Sequence, residues 1–593
     1  MKKNLKIALA SPIIKLCDPR HNAEVFAECA LSAERSGADV IVFPELALTG
    51  ATAGDLYFQD VLISAADAAL ESYIKATAEL KIMSFIGLPV RCDGVLYNSV
   101  ACVSEGEIIG VTASGLATRH FAAICGEVEA TVASRRVTLA RDNIYTDEET
   151  DSDIFVKVGD DNAYSSDGVD VIINPVAMSE YIGLADERRA FANEISSSLG
   201  VAFVLVGAGE GESGTDGIYA SPRLVSIGGE TVTESKLFST DIVYSEIVRK
   251  RSFKAKRSEP QAFAAVRSPF IPKNSEAAFA LALEIQSRSL ALRIKRAYAK
   301  TAVIGVSGGL DSTLAVLVAA KAMDVLGYGR DKVIAITMPC FGTTERTKSN
   351  ALALAEELGC SVRTIDIKNA VNQHFIDISH DEKKYDVVYE NAQARERTQI
   401  LMDIANAESG LVIGTGDLSE LALGFATYNG DHMSMYCVNG SVPKTLMRSI
   451  IAYAAKEYKN EGNERLSSVL TDVINTPISP ELLPSENDEN SQHTESIVGP
   501  YELHDFFLYY TVKYGFSPTR VLELAKEVFT DYVEEDIRNY LNVFIRRFFS
   551  QQFKRSCLPD GPRVTEISLS PRGAWQMPSD VAGDIWKGNL SIK

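Results

Sequence analysis

The string Ser307-Gly-Gly-Leu-Asp-Ser-Thr313 sets two glycines, three hydroxyls and a carboxylate within seven positions. Glycines let backbone N–H groups approach an anion, and a helix opening there faces it with partial positive charge. Ser307, Gly308, Gly309, Leu310, Asp311, Ser312 and Thr313 therefore read as a phosphate cradle. It is not a Walker A loop, because no Gly-Lys-Ser/Thr follows at the required spacing. A tight strand-to-helix turn is the plain alternative. Downstream, Thr415 and Glu420 follow a second glycine turn, and Lys444 follows Val442-Pro443. Asn391 and Arg395 stand at i, i+4 with Arg397 close by, and guanidinium groups there can grip phosphate or carboxylate bidentately. A surface charge cluster at a helix end would look the same. Asp431 follows Gly430, as a turn residue or as a carboxylate able to take a proton. In the first half, Glu45 ends the run Val40-Ile-Val-Phe-Pro44, where a carboxylate can serve as general base or merely cap or pair.

These residues need strand ends and helix starts to hold them. Residues 302–306 read as a buried strand, with a helix over 314–323 behind the glycine loop. Strands at 332–338, 361–365 and 411–413 alternate with helices at 276–298, 349–358 and from Tyr389 onward. That alternation predicts a doubly wound parallel sheet with ligands at the strand C-termini. In the first half, strands at 5–9, 40–43, 83–88, 171–173 and 202–206 alternate with helices at 26–35 and 65–80, an α/β layered domain. Residues 119–168, rich in Asp and Glu, read as a solvated loop, and the acidic stretch 485–498 as a loop able to close over a site. Residues 246–275 carry a basic run, then Pro260, Pro269 and Pro272, and read as a linker. The expected division is a first domain over 1–245, the linker, and a second domain over 276–593.

The totals exclude several classes. A chain of 593 residues holds two or more domains. A net charge of −20 weighs against nucleic acid as a partner. No run of 18 apolar residues predicts a membrane span. The nine cysteines form no CxxC pair or metal spacing, which fits a cytoplasmic protein without disulfides or zinc.

The glycine string resembles the pyrophosphate loop of the ATP pyrophosphatases, the adenine nucleotide alpha hydrolase-like fold. Over most of residues 285–580 the chain is similar to the synthetase domain of NAD synthetases. The matching strings include Gly414-Thr-Gly-Asp-Leu-Ser-Glu-Leu-Ala-Leu423, Tyr428-Asn-Gly-Asp-His-Met-Ser-Met-Tyr436, Gly499-Pro-Tyr-Glu-Leu-His-Asp-Phe-Phe507 and Phe549-Ser-Gln-Gln-Phe-Lys-Arg-Ser556. The resemblance implies adenylation of deamido-NAD by ATP, release of pyrophosphate, and attack of ammonia with loss of AMP. It implies Asp311 and Glu420 as magnesium ligands, and Thr415 and Lys444 as completing the ATP site. Asn391, Arg397, Glu420, Phe425, Ala426, Thr427, Tyr428, Asp431 and Lys554 become candidates for deamido-NAD, and Asp431 for orienting ammonia. It also implies a homo-oligomer.

Phe43-Pro-Glu-Leu46 resembles the base segment of nitrilase-like amidohydrolases. Residues 173–183, Arg188-Arg189 and 207–216 resemble the nitrilase-type glutaminase half of glutamine-dependent NAD synthetases. That half needs a Glu base, a Lys that stabilises the oxyanion and a Cys nucleophile. Here Glu45 remains, Ser114 or its neighbour stands at the Lys position, and Gly159 stands at the Cys position within Val158-Gly-Asp-Asp161. Glycine has no side chain and supports no acyl-enzyme. The expectation is a degenerate amidase half and a synthetase using free ammonia. Two other readings remain open: a glutamine-dependent enzyme using another nucleophile such as Cys125 in Ile124-Cys-Gly-Glu127, or an assembly subunit fed with ammonia by a separate glutaminase.

Overall fold

The computed structural model describes residues 4–160, 168–248, 263–341, 345–476 and 499–588. The basic run from Arg249 to Arg257, the position of Asp161 and the acidic stretch 485–498 lie outside them. The chain forms two compact units: Met1–Glu180, Leu184–Ser213 and Ile218–Gln261 in one, Tyr181–Gly183, Gly214–Gly217 and Ala262–Lys593 in the other.

The first unit is two sheets with helices outside them. Leu5–Leu9, Val40–Val42 and Met83–Cys92 pair in parallel inside an eight-stranded sheet. Ser152–Val156, Val171–Val176 and Ala202–Gly207 pair in parallel inside a six-stranded one. Val40 and Val42 point into the core between the sheets, with Leu9, Phe85, Val156, Ile173 and Val204. Ile41 points the other way, under the helices Pro19–Arg35 and Asp60–Ala76. Burial on both faces is why this strand reads as a continuous apolar run rather than an alternating one. Helix Leu184–Leu199 covers the outer face of the six-stranded sheet.

The expectation of a solvated loop over 119–168 is corrected. The described part carries strands Val128–Val132, Arg135–Ala140, Ile144–Asp147 and Ser152–Val156, the first two and the last two joined as antiparallel pairs. Ala130 and Val132 are buried while Glu129 and Thr131 are exposed. The acidic residues are the wet face of half-buried strands, a period-2 pattern that the overall polarity conceals.

The second unit holds a parallel sheet in the order Ser361–Thr364, Val333–Thr337, Thr301–Gly305, Gly410–Gly414, Tyr436–Cys437. From Thr301–Gly305 the chain winds outward through Val333–Thr337 to the edge, then returns to place Gly410–Gly414 on the other side. The two central strands thus diverge in winding direction, which opens a crevice at their C-terminal ends. Helix Leu310–Leu326 is buried nearly all round, as its unbroken apolar sequence requires, and ends at Gly327 in the left-handed conformation. Helix Val387–Ala407 closes the opposite face, its Tyr389 and Ala405 sharing a core with Val303, Ile336 and Val412. Among the described residues no helix is long and apolar enough to cross a membrane.

Candidate active site

Both central strands of the second unit end in a glycine turn and a helix start, and the two turns are neighbours because the strands are. After Thr301–Gly305 the backbone passes through Gly308 at φ +90° and enters helix Leu310–Leu326 at Gly309. That positive φ is the left-handed region glycine tolerates. Ser307 Oγ accepts the Gly309 N–H at 3.2 Å, and Ser312 Oγ donates to Gly309 O at 3.2 Å. Leu310 and Thr313 are buried below the turn, and Asp311 projects half-buried from it. After Gly410–Gly414, Thr415 leads to Asp417, which caps helix Leu418–Leu423 by accepting the Glu420 N–H at 3.0 Å. Asn439 ties the two turns together, its Nδ2 donating to Asp311 O at 3.0 Å and Thr415 O at 3.1 Å.

Lys444, the first residue of helix Lys444–Asn460, reaches into this junction and is 2% exposed. Its Nζ lies 2.6 Å from both oxygens of Asp311, 2.7 Å from Asp417 Oδ2 and 2.9 Å from Glu420 Oε1. Burial alone would lower the lysine, but Asp311, Asp417 and Glu420 hold it well above its ordinary value. Burial pushes the Glu420 carboxyl up to about 7, against the pull of Lys444 and with the repulsion of Asp311. Asp417 is likewise pushed upward by burial, against the pull of Lys444. Three carboxyl groups face one ammonium, more negative charge than it can balance if all of them ionise, and their mutual repulsion adds to burial in raising Asp417 and Glu420. Oxygens of Asp311, Asp417 and Glu420 all lie within 4.8 Å of one another, an all-oxygen donor set that fits a hard divalent cation such as magnesium.

A second group lies along the segment after Gly424. Thr427 Oγ1 donates to Asn391 Oδ1 at 2.7 Å, and Thr427 N–H donates to Asp431 Oδ1 at 2.6 Å. Lys554 Nζ donates to Gly424 O at 2.7 Å and Ala426 O at 2.6 Å. Arg547 stands over the Phe425 ring at 5.7 Å, and Tyr428 packs beside His432 and Phe553. Asn391, Phe425, Ala426, Thr427, Tyr428, Asp431 and Lys554 are therefore one neighbourhood. Arg395 belongs to it as the i, i+4 spacing requires, donating to Tyr428 O at 3.3 Å. Arg397 Nε donates to Met338 O at 3.3 Å, just past the C-terminal end of strand Val333–Thr337.

In the first unit Glu45 follows strand Val40–Val42, and its Oε1 accepts from Asn98 Nδ2 at 2.5 Å. Burial pushes its carboxyl up to about 7, against the Asn98 hydrogen bond and with the repulsion of Asp160. A Cβ built on Gly159 would lie 2.7 Å from Glu45 Oε1, so the residue at 159 faces this carboxylate directly. Asn174 Nδ2 holds the Gly159 turn, donating to Lys157 O at 3.0 Å and Gly159 O at 2.9 Å. Ser114 is buried, its Oγ donating to Val158 O at 3.4 Å. The cation acting on Glu45 is Lys157, two residues before Gly159. Cys125 is exposed.

Asp417, Asn439 and Asp505 escaped the sequence reading. Asp417 was visible as the first member of Asp417-Leu-Ser-Glu420, a capping-box pattern, yet that pattern alone announces only a helix start. Asn439 and Asp505 carry no local signal, because each works by joining segments distant in sequence. Asp505 accepts from Ser419 Oγ, and from Thr445 N at 3.1 Å and Thr445 Oγ1 at 2.7 Å, bracing the helices that carry Glu420 and Lys444.

Residues 283–540 match the NAD synthase family, and residues 6–121 match the carbon-nitrogen hydrolase family. A glutamine-dependent NAD(+) synthetase of Mycobacterium leprae is 34% identical, with 98% of this chain and 97% of that one covered. One of Aquifex aeolicus is 26% identical, covering 91% and 93%. Among solved structures, a glutamine-dependent NAD(+) synthetase from Cytophaga hutchinsonii superposes with a TM-score of 0.81 at 18% identity over 100% of both chains. One from Acinetobacter baumannii in complex with ADP gives 0.64 at 21% identity over 97% and 98%.

Proposed function

The chain belongs to the glutamine-dependent NAD(+) synthetase family, and we propose that it makes NAD from deamido-NAD and ATP with free ammonia as nitrogen donor. The observation that carries the synthetase reading is the cluster of Asp311, Asp417 and Glu420 around Lys444 beside the glycine turn. A nicotinate carboxylate is a poor acyl electrophile, and joining it to AMP supplies a leaving group. Its oxygen attacks the α-phosphorus, pyrophosphate departs, and ammonia then attacks the acyl carbon and displaces AMP. Attack of one anion on another needs positive charge nearby. Lys444 holds one such charge, fixed by its carboxylates. The Ser307–Thr313 turn offers backbone N–H groups and hydroxyls to phosphoryl oxygens, with Thr415 across from it. Asp311, Asp417 and Glu420 would hold magnesium, which when bound supplies the further charge that offsets repulsion between carboxylate and triphosphate. Asn391, Thr427, Tyr428, Asp431 and Lys554 would line the deamido-NAD side, with Asp431 taking the proton from ammonium.

The ammonia assignment rests on Gly159. The position facing Glu45 has no nucleophile, and Ser114 offers no cation for an oxyanion. NAD formation with ammonium or glutamine as sole donor tests it: turnover with ammonium and none with glutamine is the expected result. Comparable turnover with glutamine, lost in Cys125→Ala, would establish the other nucleophile instead. Synthesis restored to the purified protein only by a partner glutaminase would establish an assembly subunit.

A further inference from the structure

Helix Tyr501–Tyr514 forms a wall of the cluster that neither the glycine turns nor Lys444 supplies. Its first residue, Tyr501, is 3% exposed, and the ring centroid lies 5.7 Å from Lys444 Nζ. The hydroxyl has no hydrogen-bond partner among the described residues. A buried hydroxyl left unpaired destabilises a fold, so toward the described residues this oxygen does no structural work that a phenylalanine ring would not do as well. The charges of Glu420, Lys444, Asp417 and Asp311 all act on it. Burial and, next, the charge of Glu420 hold the phenol well above its ordinary value, so it stays a protonated donor at neutral pH.

The placement is rigid. Asp505, one helical turn further along, is 1% exposed and accepts from Ser419 on the Glu420 helix and from Thr445 on the Lys444 helix. Residues four apart share a helix face. One face of this helix therefore braces the two elements that build the cluster and carries Tyr501, whose ring packs against Lys444. Three carboxylates already share the one ammonium. Tyr501 is a neutral donor among them, with no acceptor among the described residues. An anion drawn to the glycine turn and to Lys444 brings such acceptors in its phosphoryl oxygens.

We propose that Tyr501 is a substrate-contacting residue of the adenylation centre, its hydroxyl donating to a phosphoryl oxygen of bound ATP. This rests on the reading of the cluster as that centre. Tyr501→Phe removes only the oxygen and keeps the ring. The test measures deamido-NAD-dependent release of pyrophosphate at varied ATP, with melting temperatures of wild type and variant without ligand and with ATP and magnesium. The expected result is a kcat/KM for ATP lowered roughly 10- to 100-fold, as one hydrogen bond to a charged acceptor allows. The ligand-free variant should melt at the same temperature as wild type or higher, and ATP should raise it less. Unchanged kcat/KM in an active variant would overturn the proposal and leave the adenylation reading intact. A lower melting temperature without ligand would also overturn it, since the hydroxyl would then have a partner in the free protein. A wild type that releases no pyrophosphate overturns the adenylation reading itself, and this proposal with it.

Discussion

Replacing Lys444 by methionine keeps most of the length of the side chain and removes its charge. The ammonium is 2% exposed and faces Asp417, 0% exposed, with Asp311 and Glu420 at 25% and 22%. Asp311 and Glu420 retain some water and recover part of the lost interaction by hydration. Asp417 cannot, and keeps only the Glu420 N–H. Breaking one side of a buried ion pair costs about 3–5 kcal/mol, and protonation of Asp417 limits the cost to that range. At roughly 2–4 °C per kcal/mol, the second unit should melt on the order of 6–20 °C lower. Magnesium separates this from ordinary core damage. A divalent cation among the three carboxylates replaces the missing charge, and a ligand at a hundred times its Kd adds about 2.7 kcal/mol. Calorimetry of wild type and Lys444→Met, in chelator and in saturating magnesium, should show a larger magnesium shift in the variant. A variant as stable as wild type in chelator, or one that magnesium does not stabilise, would refute the electrostatic account of the cluster.

Asp311→Ala should abolish deamido-NAD-dependent pyrophosphate release, since it removes an oxygen of the proposed magnesium site and a partner of Lys444; release at the wild-type rate would contradict that role. Glu45 titrates near 7 in the folded chain against an ordinary 4.5, so the folded state holds that proton more tightly than the unfolded state does. Its contribution is complete below 4.5 and lost as pH rises through 7, and Glu45→Gln should therefore gain up to ~3 kcal/mol over wild type above pH 7. Parallel melting curves for the two proteins between pH 4.5 and 8.5 would count against it. Gly159→Cys should lower stability by about 1–3 kcal/mol, since a side chain at φ +64° is strained and its Cβ would displace the Glu45 carboxylate. It should still hydrolyse no glutamine if Ser114 takes the place of the oxyanion lysine; measurable glutaminase activity in the single variant would show that another cation, such as Lys157, serves instead.

Much of the fold is readable without coordinates. Val40-Ile-Val42 and Ala302-Val-Ile304 are apolar on both faces, and only a strand inside a layered α/β unit buries both. The glycine string with its apolar helix announces its own turn, because the conformation at Gly308 and the helix start at Gly309 are local matters. The hairpins between Val128 and Val156 were hidden because their strands are short and their exposed positions acidic, so polarity outweighed alternation. Asn391 and Arg397 lie six residues apart on one helix, so they make different contacts: Asn391 with Thr427, and Arg397 with Met338 O.

The sequence by itself determined which residue types are present: glycine at 159, serine at 114, a carboxylate at 311 and a lysine at 444. Absence is decided there too, since no fold gives glycine a nucleophile. Company was decided only by the tertiary structure. Asp311 and Lys444 are 133 residues apart in the chain and 2.6 Å apart in space. They meet because the sheet sets Thr301–Gly305 directly beside Gly410–Gly414, so the turns that follow both strands open into one crevice. Asp417, Asn439, Tyr501 and Asp505 gain their importance there and nowhere earlier. A charge, a cap or a hydroxyl has no partner until packing supplies one, and packing belongs to the whole unit rather than to any stretch of it.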